Sequence, residues 1–435
     1  MHVEAPPEAS PPSCAASFGE FVAGHARAGR LVVQPRMGFG SAEAMRRGLL
    51  AVRAADACAA GTITLDSYTR VGAHDRAARA LAAGSDLNGY PLVAHAVETT
   101  TAVLDGVAGG GFPVQVRHGS ALPSAIVRTA LRCGLNATEG GPVSYCLPYS
   151  RVPLADAIAD WRTTCELLAR TPGAHLESFG GCMLGQLCPP SLLVALSVLE
   201  GLFFRQHGLR SVSLSYAQQT HHGQDAEAVA ALRLLAAEFL GDLDRHVVLY
   251  TYMGLFPQTA RGAAALLEES VRLAVATRAE RLILKTRAEA TRIPAIEDNV
   301  VALEDAHAAA LRLRASAPPV PAPDRVRGTE VYREARTLVE CVLDLSEDLG
   351  EAFAAAFARG YLDVPYCLHP DNRNRARTFL DDTGRLRWAA VGGMPLKPSP
   401  PGRNRRGTAP ESVELLRMLH WMRERFDNAP PGPRE

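Results

Sequence analysis

The feature that most constrains the fold is a repeat of short β-prone runs separated by helical stretches. The runs are LVVQPR from Leu31, TITLDSY from Thr62, PVQVRHG from Pro113, HLESFGG from His175, SVSLSYAQQ from Ser211, HVVLYTYMG from His246 and LILKTRAE from Leu282. Weaker runs begin near Pro91 and Asn136. Between them lie Ala-, Leu- and Arg-rich stretches with helical spacing, such as DAEAVAALRLLAAEFLGDL. Most start-to-start intervals are 30–36 residues. Strand and helix alternating at this period imply a parallel sheet, and about eight units imply an α/β fold of the (β/α)8 TIM-barrel type. An open doubly wound sheet is the alternative. It is disfavoured because GFGSAE at Gly38 has only two of the three glycines of a dinucleotide fingerprint.

The boundaries follow from composition. Residues 1–20 open Pro-rich and acidic, without the apolar core of a signal peptide, and read as a disordered arm. Residues 21–314 carry the repeat and 315–327 a Pro-rich linker. Residues 328–427 read as a smaller C-terminal α+β domain, and 428–435 as a disordered tail. The apolar run SLLVALSVLEGLFF is too short to span a bilayer and contains Glu200, so it reads as a buried helix. The formal net charge of zero offers no electrostatic reason to bind nucleic acid or an anionic membrane. Nine cysteines without a C-x-x-C spacing suggest neither a disulfide framework nor a zinc ribbon, and fit a reducing cytoplasm. HHGQD at His221 reads as a solvated loop, so no metal site is expected.

In parallel α/β folds the C-terminal ends of the strands converge on one face, where sites form. Several runs here end in a charged residue beside a turn: Arg36 in QPRMG, Arg70 in SYTRVG, Arg117 and His118 in VRHGS, and Glu139 in TEGG. Three arginine forks match carboxylates. Together with Glu139 and the two tyrosines of GGPVSYCLPYSR they suit a small dianion that also carries an amine, an acidic amino acid. From the residues alone the reaction stays open. Only two lysines, Lys285 and Lys397, stand among 46 basic side chains. A retained lysine is therefore one that arginine does not replace.

The motifs VVQPRMG, TITLDSYTR, LNGYPLVAH, PVQVRHG, ATEGGPVSYCLPYSR, MGLFPQ, LKTRAEATRIP and LDVPY occur in this order. Over roughly Leu31 to Leu396 the chain resembles the large (epsilon) chains of glutamate mutases, also called methylaspartate mutases. The resemblance implies an isomerase that interconverts L-glutamate and (2S,3S)-3-methylaspartate by an adenosylcobalamin-dependent radical rearrangement. It implies a partner, a small cobalamin-binding chain with a D-x-H-x-x-G motif, in a heterotetramer built on a homodimer of large chains. The nearest strings here begin at Asp244 and Asp305, and both lack the glycine. By the same resemblance, substrate residues fall on Arg36, Arg70, Arg117, His118, Glu139, Tyr145 and Tyr149. Cofactor contacts fall on Gly38, Asn88, Pro148, Phe256, Lys285, Glu289 and Ile293. Glu139, Lys285 and Glu289 are the expected catalytic residues. HLESFGGCMLGQLCPPS, His175 to Ser191, departs from the family's fermentative members. A related acidic amino acid as substrate, or a non-catalytic partner of a cobalamin protein, are the readings left beside it.

Overall fold

The computed structural model describes residues 17–109, 111–183, 187–399 and 411–429. Eight parallel strands form one sheet: β1 (Val32–Pro35), β2 (Gly61–Thr64), β3 (Val114–Arg117), β4 (Ala137–Gly140), β5 (His175–Ser178), β6 (Ser211–Ala217), β7 (Asp244–Tyr250) and β8 (Arg281–Leu284). From β2 to β8 each pairs with the next in sequence, and β8 pairs with β1. A bridge between Val33 and Ala59 closes the ring, with Val33 N–H donating to Cys58 O at 2.9 Å and Ala60 N–H to Val33 O at 3.1 Å. The chain is thus the (β/α)8 barrel that its periodicity implies, and not an open sheet.

The run near Pro91 is no strand. Tyr90 makes a single parallel bridge with Leu65 at the upper end of β2, and a turn follows. Pro91 has no N–H to continue a ladder. The weak run near Asn136, by contrast, is β4.

The apolar run is the helix Pro190–Gln206, buried at every position from Pro190 to Phe204. It is apolar all round because it is covered all round. The barrel lies on one side, and the helices Glu330–Leu343 and Leu349–Arg359 lie on the other. These helices share the main apolar core with the barrel. A two-stranded antiparallel sheet, β9 (Ala376–Leu380) and β10 (Leu386–Val391), and the helix Glu411–Asp427 complete the C-terminal part. Within 315–327, Pro323–Arg327 is helical.

At the other end, the helix Phe18–Arg27 closes the floor of the barrel. Its start is fixed by a capping box, in which Glu20 N–H donates to Ser17 Oγ and Ser17 N–H donates back to Glu20. Residues 17–20, expected in the arm, therefore open this helix. Phe18 is buried, its ring 5.2 Å from that of His175. The rest of the arm and residues 430–435 of the tail lie outside the described residues.

Candidate active site

The site is built at the C-terminal ends of the strands. Arg70 owes its place to Asp66, which caps the short helix Ser67–Arg70 by accepting from Tyr68 N–H at 2.8 Å and Thr69 N–H at 3.0 Å. Arg70 Nε donates to Leu65 O at 2.8 Å, and the side chain has no carboxylate partner among the described residues. Burial, then the charges of Arg36 and Arg117, lower its pKa against the pull of Tyr145 and Glu139. Arg36 follows β1. Its charge is felt at Arg70, Tyr149 and Lys285, and its side chain makes no ion pair among the described residues. Arg117, the last residue of β3, is almost fully buried. Its Nη2 lies 3.1 Å from Glu139 Oε2, its guanidinium sits 5.0 Å from the centre of the Tyr250 ring, and its Nη1 has no partner among the described residues. Burial opposes its charge most strongly, but Glu139, Tyr250, Tyr145 and Glu177 together outweigh that and raise its pKa.

Glu139 on β4 is buried and accepts from Tyr145 Oη, and its Oε2 lies 2.7 Å from Tyr250 Oη. Burial raises its pKa, against the opposing pull of Arg117. His118 is buried edge-on against Tyr145, with Ser120 N–H donating to its Nδ1 at 3.0 Å. That bond leaves the ring proton on Nε2. Burial, then Arg70 and Arg117, bring its pKa down to about 3, so it stays neutral.

The loop that carries Tyr145, Pro148 and Tyr149 is tied down from behind by Glu200. This carboxylate accepts from Val143 N–H at 3.2 Å, Ser144 N–H at 2.8 Å, Ser144 Oγ at 3.0 Å and Ser178 Oγ at 2.8 Å. The two glycines that open the loop leave no room for a side chain. A Cβ on Gly140 would stand 2.5 Å from Trp161, and one on Gly141 2.1 Å from the Glu200 carboxylate.

Lys285 follows β8 and pairs with Glu289 at 3.3 Å. It lies 5.1 Å from the centre of the Phe256 ring. Burial, then the charge of Arg36, lower its pKa against the pull of Glu289. This is an i,i+4 pair, but a largely desolvated one.

A cavity of about 760 Å³ adjoins the cluster. Its walls include Arg70, Pro148 and Tyr149 from the barrel and the segment Tyr366–His369 from the C-terminal part. That segment is clamped to the barrel loop by His369 Nε2, 2.9 Å from Val152 O, and by Leu154 N–H, which donates to Asp371 at 2.7 Å.

The structure thus brings Arg36, Arg70, Arg117, His118, Glu139, Tyr145 and Tyr149 to one mouth, with Lys285, Glu289 and Phe256 beside Arg36. It does not bring in every expected cofactor residue. Ile293 is 77% exposed. Asn88 is exposed, and its Oδ1 accepts from Ser67 N–H at 3.2 Å. Gly38 packs against Thr64, whose carbonyl would stand 2.2 Å from a Cβ. His221 is a helix cap, its Nδ1 accepting from Gln224 N–H at 3.1 Å. Among the described residues no cluster of His, Cys, Asp or Glu is arranged to hold a metal ion.

Sequence reasoning missed Glu177, Tyr250 and Arg281, which lie directly beneath Glu139. The signal was available. HLES and RLIL each place a charged residue in a strand that is buried along its length, and such a charge needs a partner.

Residues 13–406 match the family model described as methylaspartate mutase E chain (MutE). The chain belongs to this family. The glutamate mutase epsilon subunit of Halobacterium salinarum is 32% identical over 348 residues, covering 77% of this chain and 71% of that one. That of Yersinia enterocolitica is 31% identical over 351 residues, covering 77% and 72%, and that of Desulfitobacterium hafniense 30% over 349 residues, covering 77% and 71%. Membership of this mutase family makes the chain an isomerase large subunit. Among the described residues no helix is long and apolar enough to cross a membrane.

Proposed function

We propose that this chain binds L-glutamate at the barrel mouth and is the substrate-binding subunit of an adenosylcobalamin-dependent glutamate mutase, interconverting L-glutamate and (2S,3S)-3-methylaspartate. The observation that carries the reading is the pair of guanidinium groups, Arg36 and Arg70, without a carboxylate partner among the described residues, next to Arg117 and the buried Glu139. Unneutralised cations held close together call for an anionic ligand, and Glu139 is the group that meets an ammonium. Arg36, Arg70 and Arg117 bind and orient the two carboxylates. Neutral His118 donates from Nε2. Tyr145 and Tyr149 close the site against water on the side of the cavity.

The residues also fit the cofactor. A desolvated ammonium paired with a carboxylate, Lys285 with Glu289, matches the hydroxyls of a ribose, with Lys285 donating and Glu289 accepting. Four exposed apolar side chains line the cavity at the mouth: Val71, Leu122, Tyr149 and Leu368. Such a lining suits an apolar macrocycle and the chain that carries it. When bound, adenosylcobalamin supplies the carbon-centred radical that the rearrangement requires. The chain's own part is to orient the substrate and exclude water.

The test is to mix the chain with a small D-x-H-x-x-G cobalamin-binding chain, adenosylcobalamin and L-glutamate, and to follow 3-methylaspartate by proton NMR. Product is expected from the mixture and none when the small chain is omitted. Turnover by the single chain, or a productive mixture that ignores glutamate for another amino acid, counts against this reading. Lys285→Ala and Glu289→Gln are each expected to lower kcat about ten- to hundredfold, the loss of one charged hydrogen bond. The Tm should stay close to that of the parent. An unchanged kcat leaves the pair a plain i,i+4 ion pair with no part in turnover.

A further inference from the structure

Beneath Glu139 the barrel holds a second carboxylate, Glu177, and Tyr250 stands between the two. Its Oη is 2.7 Å from Glu139 Oε2 and also in hydrogen-bond contact with Glu177 Oε1. A phenol has one proton. It can donate to one carboxylate, and the other oxygen pair then needs a proton of its own.

The surroundings decide where that proton resides. Glu177 is balanced by Arg281, both completely buried, and also accepts from Gln115 Nε2 at 3.2 Å and Ser213 Oγ at 3.3 Å. Among the described residues the only cation in direct contact with Glu139 is Arg117, whose Nη1 has no partner there and is open to a ligand. The other groups that face Glu139 do not replace it. Tyr145 is a neutral donor, Tyr149 and Cys182 are neutral, His118 is uncharged, and Arg70 acts only at longer range.

We propose that Tyr250 is a positioning residue: it gives its single proton to Glu177 and so keeps a proton on Glu139 until an ammonium group arrives. In the ligand-free site Glu139 Oε2–H donates to Tyr250 Oη, and Tyr145 donates to Oε1. When an ammonium enters, the Oε2–H bond breaks, the proton leaves to solvent, and the carboxylate accepts from the ammonium. The site gains one positive charge and loses one, and no electrons move. Glu139 thus leaves the charge of Arg117 open to an anionic group while the site is empty, and takes up its own charge when an ammonium arrives to share it. The arrival step rests on the amino-acid reading above, whereas the ligand-free proton does not.

Infrared difference spectroscopy of the full chain tests this. Without ligand at neutral pH, a carbonyl stretch of a neutral carboxylic acid is expected that vanishes in Glu139→Gln. Its absence from the parent overturns the proposal, whether or not any Tyr250 variant folds. In Tyr250→Phe the neutral acid loses its acceptor, so the titration midpoint of the band should fall by about one pH unit. If the phenol instead donates to an ionised Glu139, the midpoint rises, and that sign overturns the assignment. In the complex with the small chain and cofactor, L-glutamate should abolish the band. Glutamate that binds and leaves the band intact overturns the coupled release. Glutamate that does not bind overturns the amino-acid reading, and the ligand-free spectra alone then decide the proton's place.

Discussion

Arg281→Met is expected to destabilise the chain by about 3–5 kcal/mol, because it leaves Glu177 as an uncompensated charge in the barrel interior. Every N–H of Arg281 is used. Nη2 meets Glu177 and Ser213 Oγ, the latter at 3.0 Å. Nη1 meets Gln34 and, at 3.2 Å, Gln115 Oε1, while Nε donates to His246 Nε2 at 3.2 Å. The ring of Phe18 lies 4.8 Å below the guanidinium. Methionine fills part of the volume and satisfies none of these groups. Removing the charge on the other side as well, in Arg281→Met with Glu177→Gln, should restore part of the loss, since a neutral amide is cheaper to bury than an unpaired carboxylate. Urea unfolding of the two variants and the parent measures both effects. A single variant within about 1 kcal/mol of the parent, or a double variant less stable than the single one, contradicts the account of the barrel floor.

This polar floor marks the limit of what the sequence tells. The strands were legible because parallel strands under helices are short apolar runs, and the two that are longest, β6 and β7, were also the plainest in sequence. The helix Pro190–Gln206 was legible for the same reason. The Pro91 run misled because Tyr90 and Leu92 are both buried, yet they belong to a turn that packs over the end of β2. The arginines were legible because each stands where a strand meets a turn. Their convergence was an inference from the fold, and the barrel geometry supplies it. What could not be read was depth. Gln34, Gln115, Glu177 and Arg281 come from four strands and meet only once the barrel closes, so no spacing along the chain relates them. The same holds for Glu200, whose grip on the Tyr145 loop spans more than fifty residues and crosses from a helix to a turn. Local pattern encodes which residues face inward, while closure decides which of them become neighbours.

The second large effect concerns catalysis. Arg70→Ala is expected to lower kcat/KM for L-glutamate by about thirty- to several thousandfold, the cost of leaving one substrate carboxylate unpaired in a partly desolvated site. The fold should hardly notice. Among the described residues Arg70 makes one side-chain hydrogen bond, to Leu65 O, so its loss should change stability by no more than about 1.5 kcal/mol. The neighbouring guanidinium charges even oppose its own, so the empty site gains by losing one of them. Activity and stability therefore separate at this position, which distinguishes a ligand-binding arginine from a structural one such as Arg281. Arg70→Lys should fall between, about ten- to hundredfold below the parent, because the charge stays and the two-pronged fork is lost. Added guanidinium ion should restore part of the activity of Arg70→Ala and none of that of Arg70→Lys, whose ammonium occupies the space. Steady-state kinetics of the assembled enzyme, with and without guanidinium, measure all three. Wild-type kcat/KM in Arg70→Ala, or an equal loss of stability and activity, removes Arg70 from the anion site and leaves Arg36 and Arg117 to hold both carboxylates.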